Sequence, residues 1–250
     1  MNLVNKNIKG FTLVELSIVI VIIGLIVAGV VGGQVLVKQA KLRGLIADIN
    51  KYEVAINAFR LEYDAIPGDF NRAADFGIGT SGNGDKQIIN GNTDHEEVHF
   101  LVHLNGAGLY EGAYYDSGSI LIGATMPVLD YDEFISFYPH FAGVSKVVGP
   151  NHMGTSQTPL FQDYTGNVIM VGKTVNLATK QGRLWHGFLS AKDASSIDSR
   201  MDDGDPGIGR LLVSGMHNVD TCTDRRITQA LPVAYDFTDT TERCRLFYKL

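Results

Sequence analysis

The stretch Lys9-Gly10-Phe11-Thr12-Leu13-Val14-Glu15-Leu16 opens an apolar run that continues to Val37. Only Ser17 and Gln34 place polar side chains in the run after this stretch. As a helix, such a run rises roughly 33 Å, which is enough to cross a hydrocarbon core of about 30 Å. Glu15 interrupts the apolar character near the start of the run, because its side chain is ionisable. An ionisable group in an apolar span costs roughly 2.5–3.5 kcal/mol at a helix centre, so Glu15 is a functional-site hypothesis.

The apolar run continues into an amphipathic segment without a helix breaker. After Lys38, apolar residues recur at spacings of three and four as far as Tyr63. No proline occurs between Phe11 and the Pro67-Gly68 pair. The pattern predicts one helix over about residues 11–63, apolar all round in its first half. The apolar stripe of its second half must pack on a folded domain.

The composition changes after Pro67. Residues 77–92 are rich in Gly, Asn, Ser and Asp and are predicted to form a loop. Helices are expected at about 95–104 and at 191–201. The β-rich runs are 120–122, 134–138, 168–175, 211–216 and 245–250. The predicted fold class is α+β, with a long N-terminal helix (a membrane half plus an amphipathic half) packed on an antiparallel β-sheet head.

Charge excludes one class of function. The chain has 250 residues and a formal net charge of −6. General nucleic-acid binding is therefore not expected, because it depends on Lys and Arg neutralising phosphates. The length suits an anchor plus one soluble domain.

The register of the opening residues resembles the N-terminus of type IV prepilins and the related pseudopilins: a basic residue, Gly10, Phe11, Thr-Leu, Glu15 and a long apolar run. The resemblance implies that prepilin peptidase cuts between Gly10 and Phe11 and that Phe11 is then N-methylated. It also implies that Glu15 serves assembly with other pilin or pseudopilin subunits, by pairing with the new N-terminal amine of a neighbouring subunit.

The same resemblance implies a domain organisation and a place in the cell. Residues 1–10 would be a leader, 11–37 a transmembrane and assembly helix, 38–66 its amphipathic continuation, and 67–250 a pilin-like head. The head would lie in the periplasm and the helix in the lipid of the bacterial inner membrane. There an assembly platform would build subunits into a filament, which could reach the cell surface and serve adhesion or motility.

The length of the chain favours a minor pilin or pilin-like structural subunit over a major pilin. The alternative is a pseudopilin of a type II secretion or DNA-uptake system. Neither is an enzyme, and no cofactor is required. Cys222 and Cys244 are the only cysteines. An even number in an exported domain suggests one disulfide, and two free thiols are the alternative.

Calcium is a candidate ligand of the head. Asp198, Asp202, Asp203 and Asp205 lie close together in the sequence, and hard cations need several oxygen ligands. A helix end with solvated acids explains the same residues. A weaker metal candidate is the glycine-rich segment with Asn83 and Asp85.

The segment His95-Glu96-Glu97-Val98-His99 matches the H-E-x-x-H signature of zinc proteases, and His103 follows at the same spacing. The preferred interpretation is ordinary helix surface. Thr93 or Asp94 would cap the helix, and Glu96 or Glu97 would complete a capping box. A membrane-anchored periplasmic metallohydrolase is the alternative.

Overall fold

The structure is a computed structural model that describes residues 11–89, 95–142, 164, 166–182, 184–215, 222–223 and 234–250. The predicted leader, including Gly10, lies outside the described residues. The chain forms two compact units, the first ending at Arg43 and the second starting at Gly44. Each unit is described by itself.

The first unit contains the apolar part of helix α1, which spans Leu13–Tyr63 in all. The apolar side chains of residues 13–37 are exposed. Among the described residues, α1 is the one helix long and apolar enough to cross a membrane. The predicted helix is thus confirmed. It ends at Tyr63 because Asp64 adopts a left-handed φ of 49° and Pro67 follows shortly after.

The second unit buries the apolar stripe of α1. Tyr52 lies at its centre, where its ring stacks on Phe137 with the ring centroids 4.4 Å apart. It also contacts the rings of Phe100 and Tyr110 at 5.8 and 5.3 Å. The other fully buried large side chains of this stripe are Leu45, Ile56 and Phe59. The three-four spacing in the sequence therefore marks the face of α1 that packs in the head.

The described part of the head contains one four-stranded antiparallel sheet in the order β1-β2-β4-β3. Its strands are β1 (Ile135–Ala142), β2 (Gly166–Lys173), β3 (Leu211–Ser214) and β4 (Arg245–Lys249). Two short helices complete the described elements, α2 (Glu96–Gly106) and α3 (Ala191–Met201). The α+β prediction, with a long N-terminal helix and an antiparallel sheet, is confirmed.

One predicted strand is wrong. Residues 120–122 form only isolated bridges, Leu121 with Gln181 and Ile122 with Met126. The hydroxyl of Thr125 explains the difference, because it accepts a hydrogen bond from the backbone N–H of Leu121 at 2.8 Å. Local side-chain bonds of this kind compete with a sheet ladder.

Candidate functional site

The start of α1 is closed by a reciprocal pair of hydrogen bonds. Thr12 Oγ1 accepts from the backbone N–H of Glu15 at 3.2 Å. The Glu15 carboxylate in turn accepts from the backbone N–H and the hydroxyl of Thr12, each at 2.8 Å. This is a capping box. It satisfies backbone donors at a helix end, and no water is available to do so inside lipid.

The capping box uses only one oxygen of Glu15. Both bonds from Thr12 go to Oε2, so within the described residues Oε1 remains available for another partner. Phe11, the residue after the predicted cleavage point, is 86% exposed. Phe11 and Glu15 therefore lie together at the N-terminal end of α1. Phe11 is exposed there, and Oε1 of Glu15 can accept another hydrogen bond.

The head contains a disulfide between Cys222 and Cys244, whose Cα atoms are 5.2 Å apart. Cys244 directly precedes β4. Its N–H donates to the carbonyl of Leu189 at 2.9 Å, and its carbonyl accepts from the N–H of Phe188 at 3.0 Å. The disulfide therefore links Cys222 to the start of β4.

Three of the four aspartates predicted to bind calcium come together. One carboxylate oxygen each of Asp198, Asp202 and Asp203 lies within 4.8 Å of the others, and we name these three residues the acidic cluster. Asp198 is fully buried. Its Oδ2 accepts from the Tyr235 hydroxyl at 2.7 Å, and its Oδ1 has no partner among the described residues. Burial raises the pKa of Asp198 to about 6. Asp205 is not part of this group.

Asp205 instead shapes the turn that follows. Its Oδ1 accepts from the N–H of Gly207 at 2.9 Å, and its own N–H donates to Asp203 Oδ1 at the same distance. Asp202 Oδ2 accepts from the N–H of Leu211 at 2.9 Å, at the start of β3. The acids thus also organise the connection from α3 to β3.

Two of the three histidines in this segment, His99 and His103, contact protein groups. His103 is fully buried; its Nδ1 accepts from the N–H of Gly68 at 2.9 Å, and its Nε2 lies 2.7 Å from the carbonyl of Thr80. His99 Nε2 lies 3.0 Å from Asp116 Oδ2. In the described part of the chain, no potential metal-binding group includes a histidine. This geometry does not favour the zinc interpretation. The preferred interpretation, ordinary helix surface, is wrong, because His99, His103 and both glutamates are buried in the head.

The predicted capping of α2 by Glu96 or Glu97 is wrong. The N-cap residue is His95, which makes no side-chain cap bond; Thr93 and Asp94 lie outside the described residues. Both glutamates are buried and bond elsewhere. Glu97 Oε1 accepts from the Tyr138 hydroxyl at 2.9 Å, and Glu96 accepts from two backbone N–H groups of the preceding loop. Both glutamates therefore make tertiary hydrogen bonds within the head and do not form the predicted capping box.

Sequence reasoning missed a second group of acids. One carboxylate oxygen each of Asp69, Asp85 and Glu96 lies within 4.8 Å of the others, and we name these residues the three-carboxylate cluster. The glycine-rich segment predicts Asp85 as a metal ligand, whereas no metal-binding motif in the sequence indicates Asp69 or Glu96 as ligands. Asn83 does not belong to the cluster, but its backbone N–H donates to Glu96 Oε1 at 3.2 Å. The sequence feature that could have indicated this cluster is an aspartate, Asp69, in the turn that ends α1, followed by a glycine-rich loop that contains further acidic and amide side chains.

Burial dominates the electrostatics of this cluster. It raises the pKa of Glu96 to about 7, with further increases from the charges of Asp69 and Asp85. Burial also raises the pKa of Asp69, although the N–H of Lys86 donates to its Oδ2 at 2.9 Å. Glu96 and Asp69 therefore hold protons more tightly than exposed acids do.

Comparison with known proteins identifies the N-terminal segment. Residues 5–31 match the family model described as the prokaryotic N-terminal methylation motif. Neither the curated proteins nor the solved structures give a match. The matched residues cover the start of α1 and the Thr12–Glu15 capping box. The chain therefore carries the prepilin-type N-terminal signal, which is the signal of type IV pilins and pseudopilins.

Proposed function

We propose that the protein is a structural subunit, a minor pilin or pilin-like protein, of a type IV pilus-like filament. Prepilin peptidase cuts between Gly10 and Phe11, Phe11 is methylated, and α1 holds the subunit in the inner membrane with the head in the periplasm. An assembly platform then joins it to other pilin subunits. The observation that carries the proposal is the methylation motif at residues 5–31, followed directly by an exposed apolar helix.

The exposed apolar side chains of α1 are suited to two surroundings in turn, lipid before assembly and neighbouring helices in the filament. Residues 13–37 present apolar side chains that lipid can solvate before assembly. In a filament the same residues pack against the helices of neighbouring subunits. One surface thus serves as anchor and as assembly interface.

Glu15 gives this packing an axial register. Cleavage turns the Phe11 nitrogen into a cationic amine, and methylation leaves it charged. A buried charge without a partner is costly, and pairing removes most of that cost. We infer that Oε1 of Glu15 accepts from the Phe11 amine of a neighbouring subunit, while Oε2 keeps its bonds to Thr12.

We also propose that the acidic cluster binds calcium in the head of this subunit. Asp198 has a buried oxygen without a partner among the described residues, and Asp202 and Asp203 offer further oxygens next to it. A calcium ion there would fix the connection between α3 and β3. The double variant D202N/D203N should then lower the midpoint of thermal unfolding more in calcium than in EDTA, where only weakened hydrogen bonds such as that from the N–H of Leu211 act. Equal shifts in both solutions would reject calcium at this position.

Mass spectrometry of the N-terminal peptide tests the assembly proposal. Sheared surface material and membranes are prepared from the native cell, with a Gly10→Val variant as the uncleaved control. A methylated peptide starting at Phe11 in the sheared fraction supports a pilin. The same peptide found only in membranes favours a pseudopilin or an initiating subunit. An intact leader in both fractions of the wild type rejects the proposal.

A further inference from the structure

We propose that Asp69, Asp85 and Glu96 form a calcium-binding site in the head, separate from the acidic cluster and independent of filament assembly. The three residues come from three segments of the chain: the turn after α1, the glycine-rich loop, and the first turn of α2. One oxygen of each carboxylate lies within 4.8 Å of the other two.

Asp69 indicates that the cluster is built to hold a ligand. The residue is 4% exposed, and its Oδ1 has no hydrogen-bond partner among the described residues. Two nearby N–H groups donate elsewhere: that of Gly84 to the backbone carbonyl of Asp69 at 3.0 Å, and that of Asp85 to Asn83 Oδ1 at 2.8 Å. A buried acceptor without a partner is costly, and native structures usually give it one. A cation between the carboxylates would be that partner.

The charges of the cluster lack compensation by basic side chains. Within the described parts of the chain, no lysine or arginine forms an ion pair with Asp69, Asp85 or Glu96. Three carboxylates so close together repel one another when ionised. A divalent cation would offset this repulsion and supply the positive charge that the fold does not provide.

Backbone hydrogen bonds hold the carboxylates of the three-carboxylate cluster in place. We name residues 82–89 the clamp loop. Its N–H groups at Asn83 and Ile89 donate to the two oxygens of Glu96 at 3.2 and 3.1 Å, and the N–H of Lys86 donates to Asp69 Oδ2 at 2.9 Å. These donors orient the carboxylates, and each bonded oxygen keeps a second lone pair for a metal.

Asn167 at the edge of the sheet secures the clamp loop. Its Oδ1 accepts from the N–H of Ile88 at 2.9 Å, and its Nδ2 donates to the carbonyl of Lys86 at 2.8 Å. Ile88 also accepts a bond from the N–H of Phe141 in β1 at 2.9 Å. The loop is therefore attached to β1 and β2, and the proposed site is preorganised.

The ligand set favours calcium over zinc and magnesium. The cluster offers oxygen alone, whereas zinc sites are dominated by histidine and cysteine. Calcium accepts six to eight oxygens in flexible geometry, including bidentate carboxylates and water. Asp85 is exposed, so water can complete the shell on its side. Magnesium demands near-octahedral geometry and gives up its water reluctantly.

Calcium titration of the full chain in detergent micelles tests the proposal. The protein carries D202N/D203N, so that the acidic cluster does not contribute, and is stripped with EDTA before CaCl₂ is added. We expect one binding event by calorimetry and a rise in the midpoint of thermal unfolding. E96Q and D85N should each weaken the binding at least tenfold. D75N, an exposed acid of the same region, should bind as the parent does.

Three results would overturn the site: no calcium-dependent heat in the D202N/D203N protein, unchanged affinity in both E96Q and D85N, or equal binding of MgCl₂. D85N replaces the carboxylate of an exposed side chain with a neutral amide of similar size, so its result does not depend on whether a buried substitution folds. The N-terminal peptide analysis is a separate measurement. Failure of the calcium site therefore leaves the assembly proposal standing, and the reverse also holds.

Discussion

The backbone N–H of Gly68 donates to Nδ1 of His103, with the two nitrogens 2.9 Å apart. This bond fixes the tautomer, because the proton of the neutral ring must then sit on Nε2, which lies 2.7 Å from the carbonyl of Thr80. Burial lowers the pKa of His103 to about 4, with a smaller contribution from His99. The folded head thus requires a neutral imidazole between the turn after α1 and the loop at Thr80.

Acidification should destabilise the head through His103. An unfolded histidine, with a pKa near 6.5, binds a proton that the folded ring refuses down to about pH 4. The contribution of His103 to the free energy of unfolding is therefore complete above pH 6.5 and is lost as pH falls toward 4. The full loss is about 3 kcal/mol. Urea unfolding between pH 7 and 4.5 measures most of this loss.

His103→Gln is the control for this pH effect, since the variant has no ring to titrate. Glu96 and Asp198 also titrate in this range, with pKa values raised to about 7 and about 6. Their effect has the opposite sign, but both proteins share it. The wild type should lose more stability than H103Q as pH falls. Parallel pH profiles of the two proteins would contradict the assignment.

Gly68→Ala should destabilise the head more than Gly77→Ala. Both glycines have left-handed backbones, with φ of 86° and 69°. An added Cβ at Gly68 would collide with the carbonyl oxygen of Glu96, whereas at Gly77 it would meet open space. G77A should cost about 1–2 kcal/mol for its backbone. G68A should cost about 1–3 kcal/mol more from overpacking. Thermal unfolding compares them, and equal losses would argue against the close approach of Gly68 to α2.

Glu15→Ala should abolish assembly while leaving the head folded. Removing one partner of a buried ion pair typically costs 3–5 kcal/mol, enough to disfavour each subunit contact in a filament. Ser17→Ala is the matched control, because Ser17 lies in the same apolar helix and its hydroxyl only donates to the carbonyl of Val14 at 2.8 Å. Subunits in sheared and membrane fractions are quantified by immunoblot. Normal assembly of E15A would refute the pairing of Glu15 with Phe11.

Cys222→Ser/Cys244→Ser should lower the free energy of unfolding by about 3 kcal/mol, since the disulfide closes a loop between residues 22 apart in sequence. A reducing agent should destabilise the wild type by a similar amount and leave the double variant unchanged. Chemical denaturation with and without the reductant measures both effects. Two titratable thiols in the unreduced wild type would show that the bond does not form.

The helices were the most predictable elements, because their signals are local. The stripe that includes Tyr52 and Phe59 predicted the packed half of α1, and α3 has the bounds expected from its sequence. The strand predicted at residues 120–122 failed because its apolar residues lie in a turn organised by Thr125. A short apolar run does not reveal which side chain will take its backbone bonds.

The two groups of acids show the same limit. Asp198, Asp202 and Asp203 are close in the sequence at the end of one helix, so their clustering could be predicted. Asp69 and Glu96 meet only because the clamp loop and α2 fold against the turn that ends α1. Their sequence context suggested a turn residue and a helix-capping acid. Tertiary contacts gave them different neighbours.

The strand order β1-β2-β4-β3 imposes a sequence of events on folding. The hairpin of β1 and β2 can form as soon as both have been made. In the described sheet, β3 pairs only with β4, which is the last of the four strands along the chain. Until β4 arrives, β2 and β3 present open edges to solvent and to other chains. A stalled or truncated molecule would be prone to aggregate, so the described sheet is protected only once β4 has been made and has paired with both neighbours.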